Sequence, residues 1–445
     1  MKKISILGAG LSTTSLINYL LERAEAYDWQ INIGDYNYEL AQKKTNNNPR
    51  SKAFKFDVSN ASQVTQIVES SDIIVSMLPA RFHHIIAESC VQHKKPMLTA
   101  SYVSEQIKTL ESKAKAADVG IYMELGVDPG IDHMSAMRII DSLRSRGATI
   151  EAFFSSTGGL VAPEYDNNPW NYKFTWNPRN VVLAGQGISM FIRNGRLKYI
   201  PYQRLFKRLS YTSIEGIGEF EIYPNRDSLK YRTTYGLEDI PTIFRGTMRR
   251  KGYSKAWNIF VQMGATEDTY TIEDSANMTF RDFINAFLPY ENHIPVEDKI
   301  MEQFADIIDE DVFEKLKWLD IFEPIPIPLE NATPAQILQY ILERKWMLEE
   351  GDKDMIAMQH RFEFTTKEGD KKKIVSSLVV RGETNDNTAM AITVGTPLAI
   401  AVKMVATNKL NISGIHVPVI PEMYNPILNE LEELGIKFNE EESAM

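Results

Sequence analysis

The sequence predicts an α/β fold, with a doubly wound parallel sheet built from about the first 130 residues, on three observations. A short apolar run, Ile4, Ile6 and Leu7, ends in the glycine turn Gly8-Ala9-Gly10. A helical stripe of Leu16, Ile17, Leu20 and Leu21 follows at once. Further apolar runs of strand length then recur with helix-like segments between them, the pattern of parallel strands covered on both faces.

The elements follow in order. WQINIGD, from Trp29 to Asp35, is the second strand and carries an acid at its end. Asp57 and Val58 close another strand, where an adenine base has room to pack. DIIVSML, from Asp72 to Leu78, reads as a buried parallel strand, and KPMLTAS and VGIYMEL continue the series. Ser76 to Pro79 and the pair Ala100-Ser101 are further strand ends, where ligands of doubly wound sheets gather.

Strand, glycine turn and helix in that order point to a Rossmann-type dinucleotide site. The first glycine permits the turn and the second admits a pyrophosphate close to the backbone. The helix then aims its first amides and positive dipole end at that anion. Gly8, Gly10, Leu11, Ser12 and Thr13 form the candidate cradle, with Thr13 in the third small position where glycine or alanine is usual. The competing reading is a glycine-rich turn in some other parallel α/β domain. Asp35, 27 residues after Gly8, suits the adenosine ribose of the cofactor. Its charge would repel an added 2′-phosphate, which favours NAD over NADP. An exposed loop acid is the alternative.

GVDPGIDH, Gly126 to His133, places two acids and a histidine around a Pro-Gly turn at a strand end. From Ile131 the character changes. IDHMSAMRIIDSL carries a helical stripe of Met134, Met137, Ile139 and Ile140, read as packing. GATIEAFFSSTGGL reads as a strand with a glycine bend, and the alternation of Ile150, Ala152 and Phe154 suits a sheet with one covered face. Ala332 to Leu348 is a helix; IAMQHRFEF and KKIVSSLVVRGE are paired strands with a charged hairpin between them. Arg226 and Arg245 each stand near a turn, where a guanidinium grips a carboxylate through two parallel hydrogen bonds. A surface salt bridge is the plainer reading of both. Arg249, Arg250 and Lys251 read as a solvated charge run.

Bulk properties exclude other classes. The net charge of −10 argues against a general nucleic-acid or acidic-membrane surface. Cys90 is the only cysteine, so an intrachain disulfide or cysteine-rich metal site is impossible. His83-His84 lacks the HExxH pattern and His133 lacks zinc spacing, so no metal is expected. The opening apolar run is broken by glycines without a cleavage site, and no uninterrupted apolar run approaches 18 residues. The expectation is a soluble, cytoplasmic protein with no nucleic-acid or membrane partner.

GAG, TASYVS, MELGVDPGIDH, SSTGGLVAPEYDNNPWNYKFTWNPR, YPNRDS, TIFRGT, TAMAITVGTPLAIAVKM and HVPVIPEMYNPILNELEELGIKF span almost the whole chain. Together they resemble the glutamate-forming saccharopine dehydrogenase family, also called saccharopine reductase. The resemblance implies a Rossmann-type nucleotide domain, residues 1–130, completed by the C-terminal segment 388–445. It implies an inserted α+β substrate domain, 131–387, with a helical subregion near 280–350 and a dimerisation role. It implies an NAD(P)-dependent oxidoreductase of lysine metabolism acting on a CH–NH bond. Such enzymes interconvert saccharopine with L-glutamate and 2-aminoadipate 6-semialdehyde, as homodimers.

Residue by residue, the resemblance implies that Tyr102 and Asp128 act at the reacting centre, with Asp128 more a positioning group than a general acid or base. Ser101, Arg226, Arg245, Gly246 and Thr247 would contact the substrate, whose three carboxylates give the arginines a purpose. Ala100, Ser101, Val127, Asp128, Pro129 and Asn177 would face the cofactor. Two departures stand out. Thr157 takes the place of a family cysteine. Gly34-Asp35-Tyr36-Asn37 replaces the arginine-bearing loop of fungal NADP enzymes, leaving Lys43 or Lys44 as the nearest phosphate partners. The competing functions are a carboxynorspermidine-type dehydrogenase and a non-enzymatic dinucleotide sensor on the same fold.

Overall fold

The computed structural model describes all 445 residues and divides into two compact units. The first comprises Met1–Thr149, Thr366–Asp370 and Leu378–Asn439; the second comprises Ile150–Thr365, Lys371–Ser377 and Glu440–Met445.

The first unit is built on β1 (Lys2–Leu7), β2 (Trp29–Asp35), β3 (Ser51–Lys55), β4 (Ile73–Ser76), β5 (Met97–Leu98) and β6 (Gly120–Tyr122). They lie in the order β3-β2-β1-β4-β5-β6, and a late strand, Gly414–His416, extends the sheet beyond β6. Every pairing is parallel. The order reverses between β1 and β4, which is the crevice where such sheets bind ligands. Leu7 pairs with Ser76 there, one residue before the Gly8 turn. Ile4, Ile6, Ile31, Ile33, Ile74 and Val75 are buried, as two-sided coverage requires.

The helix Thr14–Ala24 follows the turn and buries Leu16, Ile17, Leu20 and Leu21. Against it lies the helix Ala389–Ala406, and a Cβ at Gly395 would stand 2.7 Å from the Leu16 nitrogen, so the glycine sets their close approach. This second helix is long and apolar enough to cross a membrane by composition alone. Thr393 and Thr396 punctuate the run, yet both are buried along with most of the helix.

The helix Ile131–Ser145 belongs with the first unit, so the division falls near residue 150 rather than 131. The cause is its contact with the helix Pro421–Glu433. Tyr424 donates to Asp141 at 2.7 Å, and Arg138 pairs with Glu432 at 2.7 Å.

The second unit holds a nine-stranded sheet. Its strands are β7 (Thr149–Val161), β8 (Ile188–Arg193), β9 (Arg196–Pro201), β10 (Ser210–Ile214), β11 (Gly218–Pro224), β12 (Thr242–Arg250), β13 (Asp354–Thr365) and β14 (Lys371–Arg381). With Gly414–His416 counted as β15, the final strand is β16 (Asn439–Ala444). The main path runs β10-β11-β12-β7-β13-β14-β16, and β8 joins β12 to β9. β7 is central, so both its edges are paired, with β12 and β13. Phe153, not Ile150, is fully buried, stacked 4.6 Å from Phe362. The glycines Gly158-Gly159 do not end the strand; β7 continues through them. Gly158 is needed for approach to β12, where a Cβ would meet the Met248 carbonyl at 2.8 Å. The helical subregion appears as Phe280–Asn285, Val296–Gln303, Glu310–Trp318 and Pro334–Trp346.

Candidate active site

In the first unit, Gly8 has φ +105° and donates to the Gly34 carbonyl at 2.7 Å. A Cβ there would sit 2.5 Å from the Met77 carbonyl oxygen, so only glycine fits. Gly10 differs: nothing lies within 4 Å of where its Cβ would be. That open side faces the short 3-10 turn Leu11–Thr13, whose amides no side chain caps. Thr13 is buried and donates to the Gly10 carbonyl at 2.7 Å, so it braces the turn; Leu11 is 67% exposed at its rim. An uncapped helix start beside an open glycine is a cradle that fits a pyrophosphate.

Asp35 stands at the end of β2, fixed by two backbone amides. Ala9 donates to one carboxylate oxygen at 2.7 Å and Asn37 to the other at 2.8 Å. Each oxygen keeps lone pairs for a ribose hydroxyl. Beyond β3, Asp57 accepts from the amide and hydroxyl of Ser59, and these bonds hold its carboxyl below the usual range. Val58 packs on the core under the sheet. The two lysines have other partners. Lys43 pairs with Asp386 at 3.2 Å; Lys44 donates to the Thr14 hydroxyl, and burial lowers its pKa.

The GVDPGIDH segment has a backbone reason for its position. After β6, Glu124 donates to the Ser101 carbonyl at 3.0 Å and Leu125 to that of Thr99 at 3.2 Å. The segment therefore runs alongside the end of β5, with Ala100 against Gly126. Tyr102, 41% exposed, donates to Asp128 at 3.1 Å, so the two residues expected at the reacting centre do meet. Val127 and Pro129 are buried beneath them. Asp132 and His133 shape the loop. Asp132 accepts from the Gly130 amide at 2.6 Å, and buried His133 lies 2.8 Å from Glu124, whose other oxygen accepts from Val103.

Sequence reasoning missed His83, which it weighed only as a metal ligand. The ring is 1% exposed at the start of the helix His83–Gln92. Nδ1 lies 2.8 Å from Ser76 Oγ and Nε2 lies 2.7 Å from Ser101 Oγ. Burial pushes its pKa down to about 4, so it is neutral at physiological pH. The available signal was a histidine seven residues beyond a serine at a strand end.

In the second unit, β11 and β12 bring the Arg226 turn beside Arg245, which lies within β12 and not near a turn as expected, because it is in register with Ser155 of β7. Pro224 pairs with Gly246 and Tyr223 with Thr247. Asn225, next to Arg226, donates to the Arg245 carbonyl at 2.9 Å. Arg226 is exposed with φ +40°. Arg245 is buried, with its guanidinium carbon 3.9 Å from the Tyr231 ring centroid. A Cβ at Gly246 would strike Ile222 at 2.2 Å, so this position in β12 requires glycine. Thr247 pairs with Thr157 across β7, and the Thr157 hydroxyl is buried without a protein partner. Asn177 is exposed and caps the helix Pro178–Val182 by accepting from the Arg179 amide at 2.9 Å.

One expectation here is overturned. Arg249 is not solvated: it is 5% exposed, with its guanidinium near the rings of Tyr172, Tyr253 and Tyr223 at 4.9, 5.3 and 5.8 Å. Strand alternation turns it inward under the helix Tyr253–Met263, while Lys251, past the strand end, pairs with Glu219 at the surface.

Residues 4–121 match the model of the saccharopine dehydrogenase NADP binding domain, and residues 126–436 match that of the saccharopine dehydrogenase C-terminal domain. Saccharopine dehydrogenase (NADP(+), L-glutamate-forming) of Schizosaccharomyces pombe is 31% identical over 99% of this chain and 99% of its own. Mitochondrial alpha-aminoadipic semialdehyde synthase of Mus musculus is 33% identical over 98% of this chain, which spans 47% of that protein. The structure of apo saccharopine dehydrogenase (L-Glu forming) from Saccharomyces cerevisiae aligns over 100% of both chains with a TM-score of 0.90 at 28% identity. The chain therefore belongs to the saccharopine dehydrogenase family of NAD(P)-dependent oxidoreductases.

Proposed function

We propose that this protein interconverts saccharopine with L-glutamate and 2-aminoadipate 6-semialdehyde. The observation that carries the substrate class is the adjacency of the Arg226 turn to Arg245 in β12, joined through Asn225. Two arginines on adjoining backbone segments suit a substrate with several carboxylates better than a simple amine. Relatives similar over the full chain carry that activity in their names.

When bound, the nicotinamide accepts or supplies the hydride; the chain's own residues bind, orient and handle protons. In the oxidative direction the carbon next to the secondary amine loses a hydride and the nitrogen loses its proton, giving an imine. Water adds to the imine carbon and the C–N bond breaks, releasing glutamate as the amine and the semialdehyde. Asp128 holds the reacting nitrogen through its charge, and the Tyr102 hydroxyl orients that carboxylate at 3.1 Å. In the second unit Arg226 and Arg245 suit carboxylates; in the first, the Gly8–Thr13 turn takes the cofactor pyrophosphate.

For the cofactor we infer a preference for NAD, supported by the amide-fixed carboxylate of Asp35 and by the engaged state of Lys43 and Lys44. The test is absorbance of reduced nicotinamide after adding saccharopine with NAD or NADP. A saccharopine-dependent rise, larger with NAD, is expected, and Asp35→Ser should narrow the gap. No rise with either cofactor, in protein that binds them, would transfer the reading to another amine conjugate or to a sensor.

A further inference from the structure

We propose that His83 is a positioning residue that makes the Ser101 hydroxyl an outward hydrogen-bond donor for a ligand oxygen, with Ser76 fixing the tautomer. The inference rests on the proposed function only in naming that oxygen as a substrate carboxylate.

The argument is one of hydrogen-bond satisfaction. A neutral imidazole has one N–H and one bare nitrogen, and both face hydroxyls here. Two arrangements are possible. In the first, Ser76 donates to Nδ1, and Nε2–H donates to Ser101 Oγ. The Ser101 proton is then left over and points away from the ring. In the second, Ser101 donates to Nε2, and Nδ1–H donates to Ser76 Oγ. The Ser76 proton is then left over.

Burial decides between them. Ser76 is fully buried, and His83 is the one partner of its Oγ. The second arrangement strands a donor where no water or acceptor reaches it, which is costly. Ser101 is only half-buried, so the first arrangement leaves its proton where a ligand can take it. Every buried group is satisfied, and the unused donor faces outward.

The location gives the device a purpose. Ser76 pairs with Leu7 at the point where the strand order reverses, and Ser101 directly precedes Tyr102. Free serine hydroxyls rotate among rotamers; one held from behind by an N–H presents its proton in a set direction. The ring stays neutral because burial holds its pKa near 4, so this polarity persists across the working range of pH. An oxygen that accepts from Ser101 is either a substrate carboxylate or a cofactor amide carbonyl. We assign the carboxylate, because a charged acceptor gains more from a fixed donor.

Two measurements test this. The first is the long-range proton–nitrogen NMR spectrum of the full chain with labelled histidine at neutral pH, with the His83→Gln spectrum assigning the His83 signals. A protonated Nε2 and bare Nδ1 are expected; a protonated Nδ1 overturns the proposal. The second is steady-state kinetics of the intact enzyme. His83→Leu should raise the saccharopine KM at least tenfold, with the cofactor KM within twofold of the parent. His83→Gln, which returns an amide N–H near the Nε2 position, should recover most of that loss. Equal behaviour of the two variants, or an effect on the cofactor KM alone, overturns the assignment. Should His83→Leu fail to fold, His83→Asn takes its place: its amide reaches the Nδ1 position and not Nε2, so it must raise the saccharopine KM where His83→Gln does not. A parent enzyme inert toward saccharopine would sink the proposed substrate while the spectrum still decides the tautomer.

Discussion

At the scale of single residues, the chemistry concentrates on side chains whose partners are set by backbone contacts elsewhere. Tyr102 and Asp128 meet because Glu124 and Leu125 bond to Ser101 and Thr99. If Tyr102 only orients the carboxylate, Tyr102→Phe loses one neutral donor, worth about 1 kcal/mol, and kcat/KM for saccharopine should fall about fivefold. Asp128→Asn removes the charge itself and should cost about 2–3 kcal/mol, or roughly thirty- to two-hundredfold. Comparable losses in both variants would mean that Tyr102, not Asp128, holds the reacting nitrogen.

His83 also makes a stability prediction. Its folded pKa of about 4 lies below the ordinary value of 6.5. As pH falls through about 6.5 the unfolded chain takes up a proton that the folded chain refuses until near 4. The neutral ring's contribution is thus complete above that window and is withdrawn within it, by roughly 3 kcal/mol in all. Urea unfolding at pH 7 and pH 4.5 should show a drop about 2 kcal/mol smaller in His83→Gln than in the parent. Parallel curves would contradict it.

At the scale of elements, glycine placement shows where backbones must touch. Gly8 combines φ +105° with a Cβ clash at the Met77 carbonyl, and the nucleotide turn sits on that contact. Gly8→Ala should raise the cofactor Kd more than tenfold while leaving the second unit's unfolding transition unchanged, since the strain is local to the turn between β1 and β4. Fluorescence titration with reduced cofactor reads the first quantity and calorimetry the second. Gly395 is the helix counterpart. An added methyl meets the Leu16 nitrogen at 2.7 Å, so Gly395→Ala should lose about 1–3 kcal/mol despite alanine's better helix propensity. A gain in stability would show that the two helices separate freely.

Most elements were legible because they are local statements. Trp29–Asp35 appears as a strand with the bounds its composition suggested, and Thr388, where the C-terminal segment was placed to begin, caps the helix Ala389–Ala406, accepting from Ala391 at 3.0 Å. Legibility failed where one residue type serves two geometries. Gly158-Gly159 suggested a break in the strand but lies within continuous β7, because what Gly158 accommodates is the neighbouring strand β12. Arg249 suggested solvent but faces a tyrosine cluster, because alternation in β12 outranks charge when aromatic faces receive the cation.

At the scale of the whole molecule, the chain passes between the two units more than once. Residues 366–370 return to the first unit, residues 371–377 to the second, and the last strand closes the second unit's sheet beside β14. That strand adds Ser376–Glu440 at 3.1 Å and Lys372–Glu442 at 3.1 Å. Deleting residues 440–445 should expose the β14 edge and lower the second unit's melting transition by several degrees, with increased association at high concentration. An unchanged transition would show that β16 contributes nothing to the fold.

By itself the sequence determined the fold class, the glycine turn, the acid at the end of the second strand and the strand-end positions. Each is a short-range pattern whose free energy depends on neighbours along the chain: hydrophobic period, turn preference, helix capping. Tertiary structure alone decided that Ile131–Ser145 joins the first unit, that Arg249 is buried, and that His83 links Ser76 to Ser101. Those outcomes depend on which distant segments return to the same place. Once they do, the cost of leaving a buried polar group without a partner selects among arrangements that the sequence leaves equally open.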